Sequence, residues 1–275
     1  MKLANYLITA ASLASSVLAA PRSGLAERVR ARSLSRQSHP LAPVPGETNS
    51  EYRLAGGPSD ATKVTYSSNW AGVVREQPPP QGTYSAVTAT FQVPEPTGTG
   101  QSGTQAGSAW VGIDGDTYSA AILQTGIDFY VDNGQTYNDA WFEWYPDYAY
   151  DFNLEVNTGD TIVAKVQALS PSQGVATIEN LSTGKKATQT ITAPAATATL
   201  GGQNADWIVE DFQAGDSMVS LADFSEVSFW GAQAEGGGST WGVKDASIVE
   251  LKQGNQVLTE VDVQSDSAFT VKYTS

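Results

Sequence analysis

From about Val64 to the C-terminus, short runs rich in Val, Ile, Thr, Trp and Tyr are separated by clusters of Gly, Asn, Asp, Ser and Pro. YSAVTATFQV, DTIVAKVQAL, GVATIENLS, DWIVEDF, VSFWGAQA, GVKDASIVEL and FTVKYT are examples. Alternation over such lengths predicts strands, and the regular turn residues between them predict antiparallel pairing. No window keeps a helical period between caps. The pattern predicts an all-β domain, a β-sandwich of two packed, curved antiparallel sheets. One parity of each strand fills the core, and a concave face is left outside.

Residues 106 to 147 depart from ordinary alternation, because their polar parity also carries tryptophan. In a strand, residues of one parity share a face. Trp110, Gly112 and Asp114 therefore stand together, as do Gln124, Gly126 and Asp128, and as do Asp139, Trp141, Glu143 and Tyr145. Rings and hydrogen-bonding groups on one concave surface predict a cleft for an extended polymer.

The start of the chain reads differently. MKLANYLITAASLASSVLAAPRSG has a short basic end, an apolar run and small residues, which predicts a secretory signal peptide over 1–19, cut after Ala19. Its apolar run is short for a membrane span. Residues 20–60 are polar and Arg-rich and end in a Gly-Gly-Pro linker, as expected of a propeptide or disordered tail ahead of a domain at 61–275. Residues 1–60 carry a net charge of +3 and the remainder -17. That asymmetry suggests a basic arm lying over an acidic cleft at neutral pH and released as carboxylates protonate. A flexible tail that happens to be basic accounts for it equally well.

Two absences limit the chemistry. The chain has no cysteine, and its one histidine, His39, lies in the basic arm. A domain without the arm has no imidazole or thiolate, so Ser-His-Asp triads, Cys-His dyads and histidine-bound zinc are excluded. Acid-base work falls to carboxylates, Lys or Tyr. The acidic domain argues against nucleic acid. No cofactor, metal or membrane is expected, and the chain is read as a secreted monomer. Asn180-Leu181-Ser182 forms a glycosylation sequon before a Thr-Gly turn.

SNWAG (68–72), AWVGIDGDT (109–117), AILQTGIDFY (121–130), DAWFEWYPD (139–147), ATIENLSTG (176–184) and ADWIVEDF (205–212) follow one another in this order. Together they resemble the glutamic peptidase (eqolisin) family of secreted fungal acid proteases, over roughly residues 64 to 275. The resemblance implies a concanavalin-like sandwich with its active site on the concave face and polypeptide substrates. It implies Gln124 and Glu210 as the catalytic pair, supported by Trp110, Asp114, Asp128, Trp141 and Glu143, with the arm as inhibitor. Tyr118 stands where family members often have cysteine, so the family's disulfide framework is not expected here.

The chemistry suits those residue types. A lone carboxylate can take a proton from water and return it to a leaving amine, and a neutral amide can stabilise an oxyanion at any pH. Asp114, Asp128 and Glu143 are open to other readings, since each can orient the pair, bind substrate backbone or sit in a turn. Trp70, Trp144, Trp207, Trp230 and Trp241 are read as packing. A polysaccharide-binding or glycoside-hydrolysing sandwich is the alternative, with Glu143 and Glu210 as its carboxylate pair. Self-repulsion of the acidic domain further predicts greater stability in acid than at pH 8.

Overall fold

The computed structural model describes residues 35–45, 51–54 and 61–275. The expected signal peptide lies outside them. The long strands are β1 (Ala61–Ser67), β2 (Trp70–Arg75), β3 (Tyr84–Gln92), β4 (Gln105–Ile113), β5 (Ile122–Asp132), β6 (Gln135–Tyr145) and β7 (Thr161–Ser170). They continue as β8 (Gln173–Asn180), β9 (Lys185–Thr192), β10 (Ala205–Glu210), β11 (Glu226–Gly236), β12 (Ser247–Gln253), β13 (Thr259–Ser265) and β14 (Ala268–Tyr273).

One sheet runs from Glu51–Leu54 through β1, β12, β2, β10, β4, β5 and β6 to Tyr150–Asp151. The other runs β9, β8, β7, β3, β11, β14, β13. Their inner faces meet in one core, where Ala109, Val111, Leu123, Ile127, Trp144, Trp207 and Val209 of the first sheet face Val87, Phe91, Ile162, Phe229 and Phe269 of the second. The β-sandwich expected from alternation is therefore present. Pairing is mostly antiparallel, but β1 and β12 run parallel, with Val64 opposite Ile248. Residues 51–54 pair with β1, so the sheet begins before the expected boundary at 61.

A second difference concerns the outer face of the first sheet. Every residue of β4, β5 and β10 is buried, on both faces. The side opposite the core carries its own apolar cluster of Trp70, Val74, Trp110, Ile122, Trp141 and Ile208. Residues 35–45 lie across it, so this part of the expected tail has a fixed course. The tryptophans sort accordingly. Trp144 and Trp207 pack in the core as expected, and Trp241 packs against it. Trp70 instead belongs to the cleft, edge-on to Trp110 at 5.0 Å, and Trp230 is 41% exposed rather than packed.

Gly126 makes the cleft floor possible. It sits between Trp110 and Trp141 in register, and a Cβ there would come within 2.5 Å of Trp110 Cβ. Any side chain there would run into the β4 backbone at Ala109 O and Trp110 Cα.

The sequon has a structural use. Asn180 is fully buried at the end of β8; its Nδ2 donates to Asp160 Oδ2 at 2.7 Å, and its Oδ1 accepts from the Ser182 and Thr183 amides. A glycan on Nδ2 has no room in this arrangement. The protein made through a eukaryotic secretory pathway should therefore show no mass change at Asn180 after endoglycosidase treatment. Asn180→Ala should lower stability by about 2 kcal/mol, because it strands buried partners; denaturant melts check this.

Candidate active site

The cleft is built by parity. On β10, Asp206, Ile208 and Glu210 face away from the core; on β4, Ser108, Trp110 and Gly112 do so; on β5, Gln124, Gly126, Asp128 and Tyr130; on β6, Trp141, Glu143 and Tyr145. Six of the seven expected site residues, Gln124, Glu210, Trp110, Asp128, Trp141 and Glu143, are therefore brought onto one surface. Asp114, at the end of β4, has another task. Its carboxylate accepts the backbone N–H groups of Gly201, Gly202, Gln203 and Asn204 at 2.6–3.3 Å, which fixes the loop leading into β10. Tyr118 fastens the same loop, its hydroxyl donating to Thr199 O at 2.7 Å. Here a phenol ties down the turn where relatives often carry cysteine.

Glu210 is fully buried and surrounded by donors. Trp110 Nε1 donates to its Oε2 at 2.9 Å, Ser38 Oγ to the same oxygen at 2.7 Å, and the His39 amide to Oε1 at 3.2 Å. Burial nevertheless raises its pKa to about 7, against the opposing pull of the Arg36 charge and these donors. Gln124 is the cross-strand partner of Glu143 and is also fully buried. Neither its Oε1 nor its Nε2 has a hydrogen-bond partner. Donor and acceptor thus have no protein partner, and a reacting group could use both.

Arg36 is the residue that sequence reading missed. It enters the cleft from the chain before the domain, pairs as a short strand with Ala214, and is 2% exposed. Its guanidinium donates to Asp128 from Nε at 2.9 Å and from Nη2 at 3.1 Å, and to Glu143 from Nη1 at 2.7 Å. The remaining two contacts go to Ser38 Oγ and Ser108 Oγ. All five donors of the fork are used. The plane lies 3.8 Å from the Trp141 ring centroid and 4.7 Å from that of Phe212. Burial alone would lower its pKa; the charges of Asp128, Glu143 and Glu210 outweigh this and raise it. Glu143 also accepts the Ser38 amide, yet burial leaves its pKa well above the ordinary value.

The segment then crosses the sheet. Leu41 N–H donates to Gly115 O, Ala42 O accepts from Ser68, and Val44 N–H donates to Tyr66 O. Asn69 holds it midway, accepting from Ala42 and donating to His39 and Pro40 carbonyls. Ser108, Tyr130 and Asp206 could have been found from parity alone, since each alternates with a residue already assigned to the face. Arg36 and Ser38 carry no such signal.

Comparison with known proteins identifies the family. The peptidase A4 family matches residues 68–273. The chain is 44% identical to aspergillopepsin-2 of Aspergillus niger over 291 aligned positions, covering 98% of this chain and 99% of that protein. It is 38% identical to scytalidopepsin B of Scytalidium lignicola over 212, covering 74% and 77% respectively. A crystal structure of scytalido-glutamic peptidase with a transition state analog inhibitor superposes with a TM-score of 0.67 at 36% identity, covering 75% of this chain and 98% of the other.

The buried carboxyls set the pH response of the fold. Burial is the largest cause in each: it raises Asp116 to about 6, and Asp139, Glu210 and Asp211 to about 7. A carboxyl whose folded pKa exceeds its unfolded value near 4 favours the folded state when protonated. That contribution is complete below the unfolded value and is lost as pH rises through 6 to 7. The melting temperature should therefore be highest near pH 4 and fall by roughly 5–10 °C or more by pH 8. Circular dichroism melts across that range test this, and a rise toward pH 8 would contradict it.

Proposed function

The chain belongs to the peptidase A4 family and is a glutamic endopeptidase, and on that premise we propose how it acts. Glu210 is the general base and then the general acid, Gln124 stabilises the oxyanion, and residues 35–45 close the cleft until they are removed. Trp110, Asp128, Trp141 and Glu143 line the path of the substrate. The enzyme is secreted and works in acid.

One observation carries this reading. Gln124 presents an unpartnered buried amide on the same face as Glu210, whose carboxylate accepts the Trp110 indole N–H. In hydrolysis, Glu210 takes a proton from water as its oxygen bonds to the scissile carbonyl carbon. The Gln124 Nε2–H donates to the oxygen that becomes negative. When the C–N bond breaks, Glu210 returns the proton to the departing amine. A carboxyl open to water titrates near 4.3, where it can do both in acid. With residues 35–45 in place, Ser38 and His39 occupy the Glu210 carboxylate and leave no access for water or substrate.

The sign of acid on that block is mixed. Burial beneath the segment raises Glu143 and Glu210, so protonating them favours the covered state, and release does not follow from their titration. The charge pairing of Arg36 and the hydrogen bonds from Ser38 and His39 work in the other direction, but burial outweighs them. Removal of the segment by cleavage is therefore the step that opens the cleft.

Activity on a denatured protein near pH 3 should fall at least a hundredfold in Gln124→Ala and in Glu210→Gln, with both variants folded. Either variant at the wild-type rate would sink the assignment. A synthetic peptide of residues 35–45 should inhibit the activated enzyme, and its Arg36→Ala version should bind at least roughly thirtyfold more weakly, because it leaves two carboxylates buried without a cation. Equal inhibition by the two peptides would show that Arg36 is not what closes the cleft.

A further inference from the structure

Asn69, in the motif SNWAG, stands in the turn between β1 and β2 and is buried against the covering segment. Its amide is spent on main chain. Oδ1 accepts the Ala42 N–H at 2.9 Å, and Nδ2 donates to the carbonyls of His39 at 3.3 Å and Pro40 at 3.2 Å. The neighbouring Ser68 N–H donates to Ala42 O at 2.9 Å. No side chain of the segment takes part in these bonds, so what they read is a polypeptide backbone.

The contact lies beside the catalytic carboxyl. His39 gives its N–H to Glu210 Oε1 and its C=O to Asn69, so the two side chains grip opposite ends of one residue. On the domain side the link is equally short. Trp70 is the register partner of Glu210, and Asn69 O accepts the Asp211 N–H at 2.9 Å.

The turn that carries the amide is held by the domain itself. Ser67 Oγ accepts the N–H of Asn69 at 3.3 Å and that of Trp70 at 3.1 Å, and donates to Asn69 Oδ1 at 2.8 Å. Gln253, at the end of β12, donates to both Ser68 O and Asp211 Oδ2. Among the described residues, Ser67 is the one domain partner of the Asn69 amide. Removing residues 35–45 therefore leaves that amide oriented, with both Nδ2 hydrogens and a lone pair of Oδ1 open.

We propose that Asn69 is a substrate-binding residue: once the segment is gone, its amide takes N–H and C=O groups of the substrate main chain beside the residue that meets Glu210. The proposal rests on Glu210 being the general base, as argued above. An amide offers an acceptor and donors together, so it fits a chain running in either direction. Contact confined to the main chain adds no demand on the substrate's side chains.

The test compares Asn69→Ala and Asn69→Asp with wild type, each expressed as the full chain and activated identically. The readout is kcat/KM near pH 3 on one peptide substrate and on a set in which each backbone N–H away from the scissile bond is replaced in turn by an ester oxygen. Asn69→Ala should lose roughly tenfold to a hundredfold, the ordinary net worth of two or three neutral hydrogen bonds. In wild type, one ester position should cost about fivefold on the same scale. At that position the cost should vanish in Asn69→Ala, whereas loss of a merely structural group would leave every ester cost unchanged. Should the Ala variant not fold, Asn69→Asp, which keeps the acceptor for Ser67, takes its place. Its deficit against wild type should widen at least roughly threefold from pH 3 to pH 5, as the carboxyl ionises and can no longer donate. The proposal is overturned by a folded Asn69→Ala at wild-type kcat/KM, by ester costs equal in the two enzymes, or by an Asp deficit that stays constant with pH. An ester set without cost at any position in wild type overturns it whether or not the variants fold, and so does failure of both variants to fold. A wild-type enzyme with no peptidase activity, or a Glu210→Gln variant at full rate, removes instead the reading on which the proposal rests.

Discussion

A carboxyl group taken out of water must be given a cation, a set of donors or a proton, and the first sheet of this sandwich uses all three. Asp128 and Glu143 share the Arg36 guanidinium. Asp114 has four backbone amides. Glu210 has an indole N–H, a hydroxyl and an amide. Asp206 has no partner, and burial drives it toward the protonated form. The mode of compensation separates the roles. Donors from the domain's own backbone make Asp114 a fixed structural joint. Donors from a segment ahead of the domain would leave Asp128, Glu143 and Glu210 to find new partners if that segment were removed.

That division explains why the segment is anchored by an arginine. A lysine could neutralise one carboxylate, but the planar fork reaches two carboxylates and two hydroxyls while its faces lie against Trp141 and Phe212. The fit depends on the sheet beneath. Gly126 leaves room for Trp110 and the β4 backbone, Ser108 receives both the Trp141 N–H and the guanidinium, and Tyr130 steadies Asp128 with its hydroxyl. Ion pairs buried this deeply are strong only while complete, because removing one member strands the other.

Much of this was legible in the sequence because a strand has period two. Alternation placed Trp110, Gln124, Asp128, Trp141 and Glu143 on cleft faces, and the resemblance carried by the ordered motifs implied Gln124 and Glu210 as the catalytic pair. The same rule applied to β10 reaches Asp206 from Glu210. Other features were not local. Asp114 has the cleft parity but follows the turn, because φ of 69° there directs the chain over to the 201–204 amides. Trp70 was hidden because a lone strand tryptophan reads as packing by default, and only the pairing of β2 with β10 places it opposite Glu210. Arg36 lies 92 residues from Asp128 and 107 from Glu143 in a stretch whose composition suggests disorder, so no periodicity could link them.

The unpartnered amide of Gln124 is the clearest sign of what the face is for. Leaving a buried polar group unsatisfied costs roughly 1–3 kcal/mol, and here the cost falls on the residue that would donate to an oxyanion. A surface amide would cost nothing, but water would compete for its donor and the group would have to reorient as charge develops. Between Glu143 and Gly112 the Gln124 amide is buried while residues 35–45 are in place. In the proposed role, the cost of that burial to the covered protein would be offset in the transition state, where the amide meets the oxygen that becomes negative.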